Sequence, residues 1–146
     1  MTLERHFALI AEERQRSLAA PLSVRKALLV AVLLDHFADR LFEAFRDTKL
    51  TAGAADLPAW RAQLAERSSA LAAIFAVGSG TARLQLDAVV VPIKDYPALA
   101  VEDFMVSLYN GNSVQRVVIV LADGRAVAAH EVIGAAVEFW DRAGWR

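Results

Sequence analysis

The feature that most constrains this chain is the run Ala27-Leu28-Leu29-Val30-Ala31-Val32-Leu33-Leu34, eight apolar residues bounded by Arg25-Lys26 before and Asp35-His36 after. On a helix such a run has no polar face for two turns, so it has to be surrounded by other helices or by a second copy of the chain. It is far short of the roughly 20 apolar residues that cross a bilayer, which makes it a core element rather than a membrane segment. The flanking sequence has to supply the rest of the enclosure.

Upstream, Thr2 is a good N-cap, and Leu3, Phe7, Ile10, Arg14 and Leu18 recur at three- and four-residue steps. A first amphipathic helix to about Ser17 follows, with Glu12, Glu13, Gln15 and Arg16 outside. Pro21 breaks the chain and Ser23 caps a second helix running from about Val24 to Arg46, whose later part buries Phe37, Ala38, Leu41, Phe42 and Phe45. Thr48 to Ala55 reads as loop. Asp56-Leu57-Pro58 opens a third helix with Trp60, Leu64, Leu71 and Phe75 on one stripe, which Ser68-Ser69 can divide in two with Ser69 as the second cap. Gly78-Ser79-Gly80 ends that helical half at about residue 80.

Thr81 to Ile93 alternates at Leu84, Leu86, Ala88 and Val90 in the manner of a strand, although its length and alanine content also fit a helix ending before Pro92. Lys94-Asp95-Tyr96-Pro97 reads as a turn. Apolar runs then alternate with Asn110-Gly111 and Asp123-Gly124, and these dipeptides favour type I′ turns, which need positive φ at both central residues. Strands over Val101 to Tyr109, Ser113 to Leu121 and Arg125 to Ala129 would form a three-stranded β-meander, with Phe104 opposite Val117 and Val120 opposite Val127. Val118 and Val120 point to one face, Val117, Ile119 and Leu121 to the other, so both faces call for cover. A last helix from about His130 to Arg142 can cover one face, and the N-terminal helices or a symmetry mate the other. The expectation is one α+β domain over residues 1–146, with three or four antiparallel helices first and the meander and closing helix over about 100–146.

Composition narrows the function. Sixteen Lys and Arg against seventeen Asp and Glu leave a net charge of −1, so no overall positive field favours nucleic acid. The chain has no cysteine, which removes disulfides and thiolate metal sites and suits a reducing cytoplasm. Met1-Thr2-Leu3-Glu4-Arg5 lacks the pattern of a secretory signal, and a cytoplasmic location is expected. With 56% hydrophobic residues the chain has more apolar surface than a domain of this size readily hides, which points to a homodimer or a protein partner.

The densest polar group is Asp35, His36, Asp39, Arg40 and Glu43. Asp35 and Asp39 stand one turn apart and repel unless something positive lies between them. A divalent metal held by Asp35, His36, Asp39 and Glu13 of the first helix would serve, the chemistry of carboxylate and imidazole ligands from facing helices. A solvated ridge with Arg40 and Arg46 as counter-charges is the simpler expectation. His36 alone fits a partly buried imidazole beneath the first helix, and His130 a boundary residue. Gly78-Ser79-Gly80 has neither the strand-loop-helix context nor the Gly-Lys-Ser/Thr of a phosphate cradle, and no nucleophile elbow is present. Tyr96, Tyr109, Asn110 and Asn112 could rim a pocket, although turn chemistry accounts for the asparagines. No cofactor is expected.

The order of helices, apolar strand, Asp123-Gly124, short strand and a helix ending Phe139-Trp140 resembles uncharacterised bacterial proteins of similar length, themselves similar to the HEPN superfamily of helical domains. Many HEPN proteins are ribonucleases or toxin and phage-defence components, carrying an Arg followed after four to six residues by a His near a helix start. The spacing occurs here once, from Arg125 to His130, without the polar residue that usually follows the Arg. The resemblance implies a HEPN-like scaffold with Arg125 and His130 as the catalytic candidates. The residues themselves lead first to a non-catalytic, homo-oligomeric binding or regulatory module. An enzyme, either this ribonuclease or a metal-dependent hydrolase, is the alternative.

Overall fold

The computed structural model describes residues 1–90 and 113–146. The chain is α+β, with helices α1 (Leu3–Ala19), α2 (Val24–Phe45), α3 (Leu57–Arg67) and α4 (Ser69–Ser79), then strands β1 (Arg83–Val90), β2 (Ser113–Val120) and β3 (Ala126–Ala128), then helix α5 (Ala129–Asp141). Side-chain caps start the first four helices where the sequence placed them, with one shift. Thr2 accepts from the Arg5 amide, Ser23 from Lys26 and Asp56 from Ala59. The break between α3 and α4 is capped by Ser68, not Ser69: Ser68 sits extended at φ −142°, and its hydroxyl accepts from the Leu71 amide. Gly80 closes α4 at φ +82°, a left-handed conformation that favours glycine.

The alternation at Leu84, Leu86, Ala88 and Val90 resolves as strand, with 91–93 outside the described residues. β1 pairs antiparallel with β2, and β2 with β3, in the order β1-β2-β3. Val117, expected opposite Phe104, is paired with Leu86. The expected strand over Val101 to Tyr109, the turns at Lys94 to Pro97 and Asn110-Gly111, and Phe104 itself lie outside the described residues. The β2–β3 turn differs from the two-residue type I′ loop. Only Gly124 has positive φ, its amide donates to the Leu121 carbonyl, and the Leu121 amide donates to the Arg125 carbonyl. This is a turn followed by a left-handed glycine, one residue longer than a type I′ loop. The extra residue shifts the register, so Val120 pairs with Ala126 and Val127 lies opposite Ile119. A one-residue slip exchanges faces, and this one puts Val127 on the core side.

The core runs from α1 through α2 to α5 and the sheet. Ile10, Val30, Ala31, Leu34, Phe37, Leu41, Leu71, Ile74, Val117, Ile119, Ala136 and Trp140 are fully buried within one cluster. Aromatic rings thread it: Phe37 meets Phe7, Trp140 and Trp145 with centroids 5.2–5.9 Å apart, and Trp60 joins Phe42 to Trp140. Trp145, beyond the last helix, is held by its indole N–H donating to the Trp140 carbonyl at 2.7 Å. α2 and α5 both pack on the Val117/Ile119 face of the sheet, rather than on opposite faces as expected. On the other face Val114 and Val118 are nonetheless buried, apart from that cluster.

α2 itself is not enclosed. Ala27, Val30, Ala31 and Leu34 are buried, but Leu28, Leu29 and Val32 stay 41–47% exposed. Among the described residues the exposed large apolar side chains therefore cluster on α2, while the sheet shows a single one, Leu86 of β1. No helix among the described residues is long and apolar enough to cross a membrane.

Candidate functional site

The Asp35/Asp39 ridge does have a positive group between its carboxylates, and it is Arg61 of α3. Its Nη1 donates to Asp35 Oδ1 at 2.8 Å, its Nε and Nη2 to Asp39 Oδ1 at 3.0 and 2.6 Å, and Nη2 also to the Asp35 carbonyl at 2.9 Å. The guanidinium lies 4.4 Å from the Phe75 ring centroid, a cation–π contact that ties α4 into the same junction. Burial disfavours the charged form of Arg61, but its hydrogen bonds to the two carboxylates outweigh it and its pKa is raised. The expected counter-charges are committed elsewhere: Arg46 pairs with Glu43 at 3.4 Å, and Arg40 reaches His6 and the Met1 carbonyl. Gly78-Ser79-Gly80 ends α4 as expected, and Gly78, in its last turn, is also pressed against Asp35. A Cβ there would lie 2.3 Å from the carboxylate carbon.

The metal candidates are not brought together. Asp35 and Asp39 hold Arg61, Glu13 on α1 pairs with Arg16, and His36 is exposed. Among the described residues, no group of three or more His, Asp or Glu is placed to hold a metal ion. The buried imidazole is His6, not His36. His6 is 3% exposed, with its ring centroid 5.9 Å from that of His36. Its Nε2 lies 3.0 Å from the Leu33 carbonyl, which can only accept, and its Nδ1 lies 3.1 Å from Arg40 Nη1, which can only donate. Those partners select the neutral tautomer with the proton on Nε2. Burial, then the Arg40 and His36 charges, lower its pKa against the opposing Leu33 hydrogen bond.

Arg125 and His130 stand at opposite ends of β3. Arg125 is in the turn, where its backbone amide and Nε donate to the Asp123 carboxylate at 3.0 and 2.7 Å, bonds that hold the Asp123 pKa down. His130 is in the first turn of α5, partly buried. Beside Arg125 a hollow of about 620 Å³ opens between α4, the β2–β3 turn and α5, floored by Ala73, Ala76, Val127 and Val132 and rimmed by Asp123 and Glu131. Nothing in the sequence marked it, because its walls are alanines from separate elements. Tyr96, Tyr109, Asn110 and Asn112 lie outside the described residues.

The remaining candidate is a surface. Leu28, Leu29 and Val32 form a contiguous exposed cluster along α2, distinct from the single exposed apolar residues common on any domain. No family model matches the chain, and no curated protein or solved structure matches it either.

Proposed function

We propose that the chain is a non-catalytic, homo-oligomeric module whose role is binding or regulation, associating through the open face of α2. The observation that carries this is the exposure of Leu28, Leu29 and Val32 within the apolar run Ala27 to Leu34 of α2, whose opposite side is fully buried. Covering such a face stabilises association in proportion to the apolar area removed from water. The polar groups that would argue for catalysis are engaged with one another: Asp35 and Asp39 with Arg61, and Arg125 with Asp123.

Sedimentation equilibrium of wild type and Leu29→Glu tests the proposal. Wild type is expected as a dimer or larger species at micromolar concentration, and Leu29→Glu as a folded monomer. A wild type that stays monomeric at that concentration would refute it. Incubating wild type and His130→Ala with RNA, alongside elemental analysis for metal, tests the enzymatic alternative. RNA cleavage lost in His130→Ala, or stoichiometric bound metal, would favour the enzyme.

A further inference from the structure

The charge pattern beside the apolar patch bears on how two copies would meet. Arg25, Leu29, Val32, His36, Asp39 and Glu43 follow one another at alternating steps of four and three residues, the spacing of a helical seam. All lie on the side of α2 away from the core; five are exposed and Asp39 is partly exposed. The stripe is basic at its N-terminal end and apolar in the middle; at its C-terminal end Asp39 is held by Arg61, which leaves Glu43 as the acidic group facing outward. Arg25 has no ion-pair partner among the described residues, and Glu43, with its side chain 74% exposed, has only Arg46 at 3.4 Å.

We propose that a second copy of this chain docks here with the two α2 helices antiparallel, the two-fold axis passing near Val32, so that Arg25 of each copy lies about one helical turn from Glu43 of the other, within reach of its long side chain. The proposal rests on the homo-oligomeric reading above and specifies its geometry. Charge complementarity decides the orientation. Parallel pairing would set Arg25 against the partner's Arg25 and Glu43 against the partner's Glu43, whereas antiparallel pairing matches opposite signs at both ends and also aligns the helix dipoles favourably. A two-fold axis near Val32 makes the interface isologous, places Leu28 and Leu29 of both copies around the axis, and leaves no open end to propagate a fibre. A shallow crossing of about 20° keeps the charged ends within reach of one another.

The absence of cysteine in the chain makes the geometry directly measurable. Val32→Cys, treated with a short bis-maleimide, is expected to yield covalent dimer. Arg25→Cys is expected not to, because its two copies would lie about 21 Å apart along the helices, 14 residues at about 1.5 Å each. Arg25→Glu and Glu43→Arg, both at exposed positions, should each weaken self-association by about tenfold, two exposed ion pairs being lost by symmetry. Mixed in equal amounts, those two variants should form a heterodimer with the wild-type affinity restored. A wild-type dimer in which Arg25→Cys cross-links to itself, or in which the charge variants associate normally, would overturn the antiparallel arrangement and leave the homo-oligomeric reading standing. A wild-type monomer would overturn both.

Discussion

Replacing Arg61 by alanine tests the main polar joint of the fold. Arg61 contributes four hydrogen bonds to α2 and a stacking contact to α4, with 21% of its side chain exposed. Exposed ion pairs are worth about 0–1 kcal/mol, whereas breaking a buried one by removing a single partner costs about 3–5 kcal/mol. Asp35 is 22% and Asp39 37% exposed, so the Asp39 share has to be discounted for solvent screening. Arg61→Ala should therefore cost about 2–3 kcal/mol, or roughly 5–10 °C in Tm for a domain of this size. Arg61→Lys should recover little, since one ammonium cannot bridge both carboxylates and the Asp35 carbonyl with fixed geometry. Urea unfolding of Arg61→Ala alone and in an Asp35→Asn, Asp39→Asn background measures the coupling. A loss below about 1 kcal/mol, or a coupling near zero, would show the cluster to be an ordinary surface pair and refute the reasoning. The pKa of Arg61 is raised above the ordinary arginine value, so its contribution is complete below that value and is lost only as pH rises through the still higher folded one, and the effect should be flat across neutral pH.

Gly78→Ala should destabilise by about 2 kcal/mol despite the higher helix propensity of alanine, because the new Cβ displaces the Asp35 carboxylate and with it Arg61; the same change in an Asp35→Ala background should be neutral or stabilising in thermal melts. Ser17 is fully buried and its hydroxyl has no hydrogen-bond partner among the described residues, so Ser17→Ala should raise stability by about 1 kcal/mol in urea titration, and a loss would mean that the hydroxyl is satisfied. His6 has a folded pKa below 6.5, so its contribution is complete above 6.5 and falls as pH drops from 6.5 towards the folded value, where the unfolded chain takes up the proton first. Urea midpoints measured from pH 8 to pH 5 should therefore decline more steeply for wild type than for His6→Gln, by at most about 1.4 kcal/mol per pH unit in that window.

The elements legible in the sequence were those whose determinants are local. Thr2, Ser23 and Asp56 cap the amides three residues ahead, and the period of Phe37, Leu41 and Trp60 reports the buried side of its own helix. What escaped depends on pairings between elements. The counter-charge of Asp35 and Asp39 comes from Arg61, more than twenty residues away on another helix, while the nearer Arg40 and Arg46 turn elsewhere. Either histidine could have been the buried one, and the packing of α1 on α2 chose His6. Gly78-Ser79-Gly80 marks the end of α4 correctly, but only the closeness of Gly78 to Asp35 shows its packing role. The Asp123-Gly124 dipeptide marked the hairpin correctly but not its loop length, which altered the register by one residue.

If the proposed association holds, α2 separates stability from association along one helix. Its buried side, from Ala27 through Val30, Leu34 and Leu41, is fixed by contacts with the rest of the chain, and truncation there costs about 2–5 kcal/mol of folding energy for a large residue. Leu28, Leu29 and Val32 contribute little to that core because more than two-fifths of each is already in water. Polar residues at those three positions would satisfy the helix equally well and remove exposed apolar surface, so the monomeric fold gives no physical reason for leucine and valine there. Substituting them should change self-association strongly and the unfolding free energy of the monomer by no more than about 0.5 kcal/mol each. If Leu29→Glu instead unfolds the chain while leaving the mass of the remaining folded species unchanged, the residue belongs to the core and the case for an interface on α2 fails.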